Sequence, residues 1–518
     1  MLLAACFSLL LLARAAEGHG RAPLLPLSHR LLAEALGGHP EQVHLSLGAT
    51  PDQMLISWSE QRRDASEPVT VSYGRSVSSL DTTVYRGTVA AYSSLQFYDT
   101  TQLLHPDMEE VQQSVSAAEL VRLLTLPELL GGSPANAKNV SQLRPTFGVA
   151  ANADNIYASP LLLTVTLHNL APNTTYHYRL GAHSTTRAFT TPPQPGPEAY
   201  PFAMALFADV GQTIVSHRII TRLAEDADTR LVLLAGDVTY ADGLGERWDS
   251  GMRLLSPLAG AKPLMVCAGN HELERGEAFQ HLVARFPTPY VWSGSPDPLY
   301  YDFRAGPAHV FVLNSYVGAA GLPRMAAWLR HALQNVDRNL SPWLVAMWHA
   351  PAYSSLSSKM YSKAGMPLRW ALEEMLFEAG VDLVVCGHVH AYERTHPVYN
   401  NSLNECGPVH LTVGDAGAHG GPHVGWKSPA PEWSAFRSST FGAGKLVLHN
   451  ATHARWTWTR AACATTANIN DPDASWSPIW DDDGNNCTST GDLQHEHVDS
   501  TWLTRSEAAC SNKRTHKL

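Results

Sequence analysis

The sequence has few charged residues for its length and no excess of positive charge. Charged residues make up only 16% of the 518 residues, and 47 acidic residues outnumber 37 basic ones, which gives a net charge of -10. A nucleic-acid-binding domain is normally basic, so this balance argues against a nucleic-acid partner. A chain of this length is too long for one ordinary core, and we expect two or three domains.

Hydrophobic runs of membrane-spanning length are also missing. The apolar run at residues 2–13 is too short to cross a bilayer, and small residues suited to cleavage lie at Ala13, Ala15 and Ala16. This pattern predicts a signal peptide over residues 1–16, although no lysine or arginine precedes the run. The polar ending SNKRTHKL argues against a hydrophobic anchor tail. We therefore expect a secreted or extracellular protein with no membrane anchor, and nothing in the sequence predicts its oligomeric state.

Cysteine is scarce, with seven residues in the chain. Cys6 belongs to the predicted signal peptide, and Cys267 and Cys386 lie in apolar runs, where we expect free thiols. Disulfides are plausible outside the cell among the other four, with the pairing left open: Cys406, Cys463, Cys487 and Cys510. Six sequons predict glycosylation in a secreted protein and begin at Asn139, Asn173, Asn339, Asn400, Asn450 and Asn486.

What the chain does have is a series of five short segments in which an apolar run ends in residues that bind metals. They are ADVG with Asp209, GDVTY with Asp237 and Tyr240, GNHE with Asn270, VAMWH with His349, and GHVHAYER with His388 and His390. The apolar runs predict strands that are buried on both faces. Because open α/β folds place their sites at the carboxyl ends of strands, we expect these ligands to converge on one edge of a sheet.

The donors divide into two sets. Hard oxygen donors completed by one histidine suit a trivalent iron, whereas neutral donors suit a divalent ion. The first set consists of Asp209, Asp237, Tyr240 and His390, and the second of Asn270, His349 and His388. Asp237 is predicted to bridge the two ions. Two ions about 3.5 Å apart can hold phosphoryl oxygens and generate hydroxide well below the pKa of bulk water.

The order of the five segments, with Tyr240 three residues after Asp237, resembles the purple acid phosphatases, a branch of the binuclear metallophosphoesterases. The resemblance covers residues 40–460. It implies an acid phosphatase that hydrolyses phosphate monoesters with a metal-bound hydroxide at an Fe(III)–M(II) centre. In this family the divalent ion is zinc, iron or manganese, and a phenolate on Fe(III) gives the colour. The implied partners are small-molecule phosphate esters.

The resemblance also implies which residues face the substrate. His271 matches the family's substrate-facing histidine, which acts as an acid or as a phosphate-binding donor. Asp242, Tyr392 and Arg394 match family positions as well, and for these we leave open either substrate contact or supporting hydrogen bonds around the metals. Glu272 is expected to orient the metal ligands.

The chain departs from the plant members of the family after His349. Those members have a histidine pair that binds phosphate or protonates the leaving group, and here Ser358 and Lys359 occupy the corresponding positions. Lys359 is either a fixed positive charge for phosphate or a solvated loop residue, and it is a poor general acid near neutral pH. We therefore expect leaving-group protonation to rest mainly on His271 or on no residue at all. Other loop histidines, such as His419 and His423, have no predicted role.

Two further functions stay open at this point. A phosphodiesterase or nucleotide pyrophosphatase would use the same metal centre, because the same ions can serve diesters. A catalytically silent extracellular binding glycoprotein would use the β-rich N-terminal part and the C-terminal tail. The complete set of metal ligands argues against the silent protein.

Alternating apolar and polar residues in the first third of the chain predict an all-β sandwich, which the resemblance implies is fibronectin-III-like. It would be followed by an α/β layered metallophosphoesterase sandwich, with two β-sheets flanked by helices near residues 215–226, 324–336 and 366–379. The predicted regions are a signal peptide at 1–16, the first sandwich at 40–191 with a helical insertion at 105–145, the catalytic domain at 201–460 and an atypical Cys-containing tail at 461–518.

Overall fold

The structure is a computed structural model, and it describes residues 40–61, 68–95, 156–181, 184–461, 497–505 and 510. The predicted signal peptide and the predicted helical insertion at 105–145 lie outside the described residues. The same is true of the sequons at Asn139 and Asn486 and of most of the predicted tail. The other four predicted sequons have exposed asparagines, at Asn173, Asn339, Asn400 and Asn450.

The N-terminal part is an all-β sandwich of two antiparallel four-stranded sheets. Its strands are β1 Glu41–Leu47, β2 Met54–Glu60, β3 Val71–Gly74, β4 Thr82–Val84, β5 Thr88–Ala90, β6 Ser93–Leu95, β7 Ile156–Ala158, β8 Leu161–Leu167, β9 Thr175–Leu180 and β10 Arg187–Thr190. One sheet has the order β1-β2-β8-β5 and the other β10-β9-β3-β4, while β6 and β7 pair separately. In β8, Leu163, Val165 and Leu167 are buried at every second position, as expected of a strand with one face on the core.

The second sandwich contains a six-stranded and a seven-stranded sheet. Its strands are β11 Phe202–Phe207, β12 Thr229–Leu234, β13 Leu264–Val266, β14 Tyr301–Ala305, β15 Ala308–Val312, β16 Trp343–Met347, β17 Leu383–Cys386, β18 Tyr392–Thr395, β19 Val398–Tyr399, β20 Ser402–Leu403, β21 Val409–Val413, β22 Ser434–Ser438, β23 Gly442–Leu448, β24 His453–Arg460 and β25 His497–Thr504. The six-stranded sheet has the order β13-β12-β11-β23-β24-β25, and the seven-stranded sheet has the order β14-β15-β16-β17-β21-β18-β22. Strands β19 and β20 form a separate pair.

Helices cover the outer faces of both sheets. They are α1 Ile214–Glu225, α2 Gly245–Ala259, α3 Gln280–Arg285, α4 Gly318–Gln334, α5 Lys359–Ser362 and α6 Met366–Ala379, and a short 3-10 helix spans Pro197–Ala199. Helix α1 begins behind a capping box, in which the Thr213 side chain accepts a hydrogen bond from the backbone of Ser216. The three helices that the sequence predicted correspond to α1, α4 and α6.

Alternation along the buried strands divides the apolar side chains between two layers. In β11, Leu206 faces the core between the two sheets, whereas Phe207 packs in the layer formed with α1 and α2. In the seven-stranded sheet, Val345 faces the central core and Leu344 packs in the layer formed with α4 and α6. This arrangement confirms the predicted fold class, an α/β layered sandwich that follows an all-β sandwich.

The C-terminal residues 497–504 form an edge strand of the six-stranded sheet, which the sequence did not predict. A disulfide joins Cys406 to Cys510, one of the pairings that the sequence left open. Cys267 and Cys386 are free and buried, as predicted. Among the described residues, no helix has the length and apolar character that crossing a membrane requires.

Candidate metal centre

Five strands from two sheets bring the predicted ligands together. The strands β11, β12 and β13 are parallel neighbours in the six-stranded sheet, and β16 and β17 are parallel neighbours in the seven-stranded sheet. Each of these strands ends a few residues before a predicted ligand. The expectation of a single sheet edge was therefore wrong: the ligands meet where the carboxyl ends of two stacked sheets lie side by side. The sequence could not separate the two sheets because pairing between strands is not a local property.

The backbone is strained where it turns from the strands into the site. Among the non-glycine residues with positive φ angles, five belong to these turns, namely Asp209 at 58°, Asp237 at 52°, Tyr240 at 49°, Asp242 at 55° and His388 at 67°. L-residues rarely adopt this left-handed region, and each such residue costs on the order of 1 kcal/mol or more. Strain of this kind collects at functional sites, where the fold holds side chains in directions that a relaxed backbone would not give them.

Two glycines allow neighbouring loops to come close to the carboxylates. A Cβ atom on Gly269 would lie 2.0 Å from Asp237 Oδ1, and one on Gly387 would lie 2.5 Å from Asp209 Oδ2. Any side chain at either position would displace a predicted ligand. The glycine that opens the GNHE segment and the one that opens the GHVH segment are therefore required by space.

The donors predicted for Fe(III) form a tight group around the Tyr240 hydroxyl. This hydroxyl donates a hydrogen bond to Asp209 Oδ1 at 2.8 Å and lies 2.8 Å from His390 Nε2. The distance between His390 Nε2 and Asp209 Oδ1 is 3.4 Å. Three side chains from three segments thus direct one donor atom each toward a common point.

The neutral donors form a second group around the Asn270 side chain. Asn270 Oδ1 lies 3.1 Å from His349 Nε2 and 2.9 Å from His388 Nδ1. Asp237 joins this group through Oδ2, which lies 3.0 Å from His349 Nε2. Asp209 Oδ1 and His349 Nε2 are 4.0 Å apart, so the two groups are adjacent.

The donor spacing fits metal ions. Donor atoms that share one ion at about 2.1 Å with a right angle between them lie about 3 Å apart, which is close to the distances within each group. Ligand atoms of Asp209, Asp237 and His349 all lie within 4.8 Å of one another, and all three side chains are buried. Carboxylates and a phenol in one group, with imidazoles and an amide in the other, are the donor types expected for a hard ion beside a divalent ion.

The electrostatics of the site also favour cations. Burial and the neighbouring Asp209 carboxylate raise the pKa of the Tyr240 hydroxyl well above its ordinary value, so that the phenolate forms only when a cation offsets both effects. Burial and the positive charge of His349 lower the pKa of His388 to about 3, which keeps its imidazole neutral and able to donate a lone pair.

Outer hydrogen bonds hold the ligands in place. The buried Glu272 carboxylate accepts hydrogen bonds from the backbone N–H groups of Asp237, Val238 and Gly269. It thereby fastens the GDVTY loop to the GNHE loop, in agreement with its predicted orienting role. His349 Nδ1 lies 2.7 Å from the carbonyl oxygen of Ala235, which leaves Nε2 directed at the second donor group.

His271 lies beside the two donor groups and is partly open to solvent. Its Nδ1 is 2.5 Å from Asp242 Oδ1, and its side chain is 19% exposed. Burial alone would lower the pKa of His271, but the Asp242 and Asp237 carboxylates raise it well above its ordinary value. The two carboxylates therefore favour the protonated form of His271, and part of its side chain is open to solvent.

Three of the proposed substrate contacts do not fit the structure. Asp242 is buried and uses its two oxygens for His271 and Arg275, which it holds at 2.5 and 3.2 Å. Tyr392 is fully buried, and its hydroxyl hydrogen-bonds to Asp499 at 2.5 Å. Arg394 pairs with the same carboxylate at 2.8 Å. Of the two alternatives left open for these residues, the supporting role is the one that the geometry allows.

Lys359 occupies the first position of α5, and its side chain is exposed. Its contact with phosphate stays a prediction. Two residues later, the Tyr361 ring lies 5.9 Å from the His388 ring and 4.0 Å from the His423 ring. Helix α5 therefore borders the site.

Two loop histidines for which the sequence predicts no role lie beside the predicted ligands. His423 stacks on His390 with ring centroids 4.3 Å apart, and His419 meets the Tyr240 ring edge-on at 5.5 Å. Both belong to the loop between β21 and β22, far along the chain from their partners. No local pattern in the sequence marks them as site residues.

Comparisons with known proteins find families and relatives that are similar to this chain. Residues 203–392 match the calcineurin-like phosphoesterase family, and residues 407–471 match the family described as iron/zinc purple acid phosphatase-like protein C. The chain is 38% identical to probable purple acid phosphatase 20 of Arabidopsis thaliana over 312 residues, which is 59% of this chain and 72% of the relative. It is 31% identical to purple acid phosphatase 15 of the same plant over 496 residues, or 83% and 84% of the two chains.

A solved structure shares the fold. The purple acid phosphatase PPD1 from yellow lupin (Lupinus luteus) seeds aligns with 91% of this chain and 76% of its own, with a TM-score of 0.63 and 19% sequence identity.

Proposed function

The chain belongs to the purple acid phosphatase family, and we propose that it hydrolyses phosphate monoesters at a binuclear centre of Fe(III) and a divalent zinc, iron or manganese ion. The observation that carries the proposal is the convergence of the Tyr240 hydroxyl, Asp209 and His390 at 2.8 to 3.4 Å. A phenol among carboxylates is a donor set for a hard trivalent ion.

Each predicted ligand has a role in this proposal. Fe(III) would be held by Asp209, Asp237, Tyr240 and His390, and the divalent ion by Asp237, Asn270, His349 and His388. Asp237 would be the shared ligand, which is supported by its position between the two donor groups: its Oδ2 lies 3.0 Å from His349 Nε2, and the ligand atoms of Asp237, Asp209 and His349 lie within 4.8 Å of one another. When bound, the two ions supply Lewis acidity and lower the pKa of water.

The protein's own contribution beside the ions comes mainly from His271. Asp242 accepts a hydrogen bond from His271 Nδ1, so Nε2 is free to point away from Asp242. The imidazole can then donate a proton or a hydrogen bond either to the phosphoryl oxygens or to the departing oxygen. Burial alone would raise the pKa of Asp242, but the positive charges of His271 and Arg275 outweigh this effect. The pKa of Asp242 therefore lies well below its ordinary value, and the carboxylate stays ionised.

The proposal extends to the whole chain. We propose a secreted glycoprotein with a signal peptide at 1–16, a fibronectin-III-like domain at 40–191, a catalytic domain at 201–460 and a tail at 461–518. The exposed asparagines at the four described sequons support glycosylation. Its substrates would be small-molecule phosphate esters.

The deciding experiment is metal analysis of the purified protein combined with a visible spectrum and rates on three substrates. Bound iron with a second metal, a broad visible band and faster hydrolysis of a simple monoester or of phytate, which is also a monoester, than of a diester would support the proposal. Faster diester hydrolysis would favour a phosphodiesterase instead. A protein that binds both metals and hydrolyses none of the three would be a binding protein.

A further inference from the structure

Two aromatic rings, those of His423 and Tyr361, lie beside predicted ligands of both metal ions. Around the predicted ligands, the His423 ring stacks on His390 at 4.3 Å with an interplanar angle of 11°, and the Tyr361 ring covers His423 at 4.0 Å. Tyr361 then approaches the His388 ring edge-on at 5.9 Å. His423 and Tyr361 thus connect a ligand predicted for Fe(III) with a ligand predicted for the divalent ion.

His423 is fixed to His390 by three contacts. The backbone N–H of His390 donates to His423 Nδ1 at 3.0 Å, and the backbone N–H of His423 donates to the carbonyl oxygen of His390 at 2.8 Å. The third contact is the ring stack. Because Nδ1 accepts a hydrogen bond, the proton of the neutral ring must lie on Nε2.

The Nε2–H group of His423 is therefore a donor with a fixed direction. Within the described part of the chain no hydrogen-bond acceptor is found for it, and the residue is only partly buried. The Tyr361 ring lies 4.0 Å from the His423 ring and the His390 ring lies 4.3 Å from it, so two neighbouring rings restrict the rotation of His423. A preorganised donor beside a reacting centre needs no reorganisation when charge develops.

Tyr361 belongs to the short helix α5, which borders this side of the site. Helix α5 begins at Lys359, where the resemblance places one residue of the absent histidine pair. The helix contributes no histidine, but Tyr361 supports a histidine that comes from the loop between β21 and β22 instead. The site thus regains an imidazole on this side from a distant part of the chain.

We propose that His423 donates a hydrogen bond from Nε2 to the leaving-group oxygen of the phosphate ester, and that Tyr361 is the positioning residue for its ring. This inference rests on the proposed phosphatase function. The bond from phosphorus to the alcohol oxygen breaks as the bond to the water oxygen forms. The proton that the water loses balances the one that the departing alkoxide gains, and His423 ends the step unchanged. His271 is then assigned to the phosphoryl oxygens.

A matched pair of variants separates donation by His423 from its contact with His390. In His423→Gln the side-chain NH₂ replaces the Nε2 donor, whereas in His423→Asn the shorter side chain offers an oxygen near Nδ1 and no donor at the Nε2 position. Each variant is assayed on p-nitrophenyl phosphate, a good leaving group, and on glycerol phosphate, a poor one. Metal content and the visible spectrum are recorded in parallel.

We expect kcat/KM of His423→Asn to fall roughly 100-fold on glycerol phosphate and only about 10-fold on p-nitrophenyl phosphate, because a poor leaving group needs the donor most. His423→Gln should restore most of the wild-type ratio between the rate on glycerol phosphate and the rate on p-nitrophenyl phosphate. His271→Ala should lower both rates by a similar factor. Tyr361→Phe, which keeps the ring stack, should preserve the wild-type ratio of the two rates, whereas Tyr361→Ala should reduce it toward that of His423→Asn.

The opposite results would overturn the inference. If kcat/KM falls by the same factor on both esters in the Asn and Gln variants, His423 serves only to hold His390 in place. Loss of iron or of the visible band would accompany this outcome. If either variant fails to bind metals, the same two assays are made on His423→Phe, whose ring can still stack on His390. Equal losses on the two esters in that metal-replete variant would also reject the proposal. A wild-type protein that hydrolyses neither ester would reject the proposed function itself and not only the role of His423.

Discussion

The carboxylate of Asp499 in β25 binds the guanidinium of Arg394 in β18 through two hydrogen bonds, at 2.8 Å to Nε and 3.1 Å to Nη2. The same carboxylate accepts the hydroxyl of Tyr392, which is fully buried between the sheets. Tyr392 and Arg394 follow the predicted ligand His390 within the same segment. The C-terminal strand β25 therefore stabilises β18, the strand that follows the last predicted metal ligand, His390.

Replacing Asp499 should destabilise the second sandwich. Asp499→Ala leaves a largely buried guanidinium without its partner, and breaking such a pair costs about 3 kcal/mol or more. We expect the melting temperature to fall by roughly 6 to 12 °C, measured by calorimetry at one pH and metal content. Asp228→Ala is the control, because its ion pair with Lys445 is at the surface and should change the melting temperature little. An Asp499 variant that melts like the control would contradict the inferred role of β25.

Tyr240→Phe tests the assignment of iron. If the Tyr240 phenolate binds Fe(III), the oxidised protein absorbs broadly in the visible, and the variant loses this band while part of the metal stays bound. Phe keeps the ring contact with His271 at 4.1 Å, so the loss of colour would follow from the missing oxygen and not from a collapsed site. A colourless wild-type protein with a full complement of iron would rule out the phenolate ligand.

Asp237→Asn tests the bridge. The substitution removes a charge shared by both ions, so metal content and activity should fall together, each at least about tenfold at limiting metal. Asp242→Asn is the matched control, because Asp242 contacts His271 and Arg275 instead of the donor groups. It should lower activity with little change in metal content. Full metal retention by Asp237→Asn, measured by elemental analysis, would contradict a bridging role.

Much of the site could be predicted because its signals are local. Each ligand follows its own apolar run, and Tyr240 follows Asp237 by three residues, so strand and ligand are specified by the same short segment. Helix α2 was missed because Gly251 and Pro257 lie inside it and lower its helix propensity. Packing by Trp248, which is fully buried, stabilises it nonetheless.

The remaining features depend on contacts between distant parts of the chain. The Asp499–Arg394 pair joins residues 105 positions apart, and the Cys406–Cys510 disulfide joins residues 104 positions apart. His423 reaches His390 only because the loop between β21 and β22 folds back over the site. Composition and periodicity carry no information about such contacts, whereas the sheet order determines them.

His281 should make the stability of the folded chain depend on pH. It lies between the two sandwiches, where Nδ1 is 2.8 Å from the Tyr92 hydroxyl and Nε2 is 3.1 Å from the Ser94 hydroxyl. Burial and the positive charge of Arg285 lower its pKa to about 3. The folded state thus keeps His281 neutral at a pH where the unfolded chain, with a histidine pKa of about 6.5, already binds a proton. The contribution of His281 is fully present above pH 6.5 and is lost as the pH falls from there toward 3.

Between pH 7 and pH 5 this linkage removes about 2 kcal/mol from the free energy of unfolding of the wild type. His281→Gln has no ring to protonate, so its loss over the same interval should be smaller by about that amount. Denaturant titrations of both proteins at the two pH values measure the difference, and titration of other groups cancels in the comparison. His331→Gln, at an exposed position on α4, provides the control for removing a histidine. Equal pH dependence in the wild type and His281→Gln would show that His281 does not stay neutral in the folded protein, and that the contact between the two sandwiches tolerates its charge.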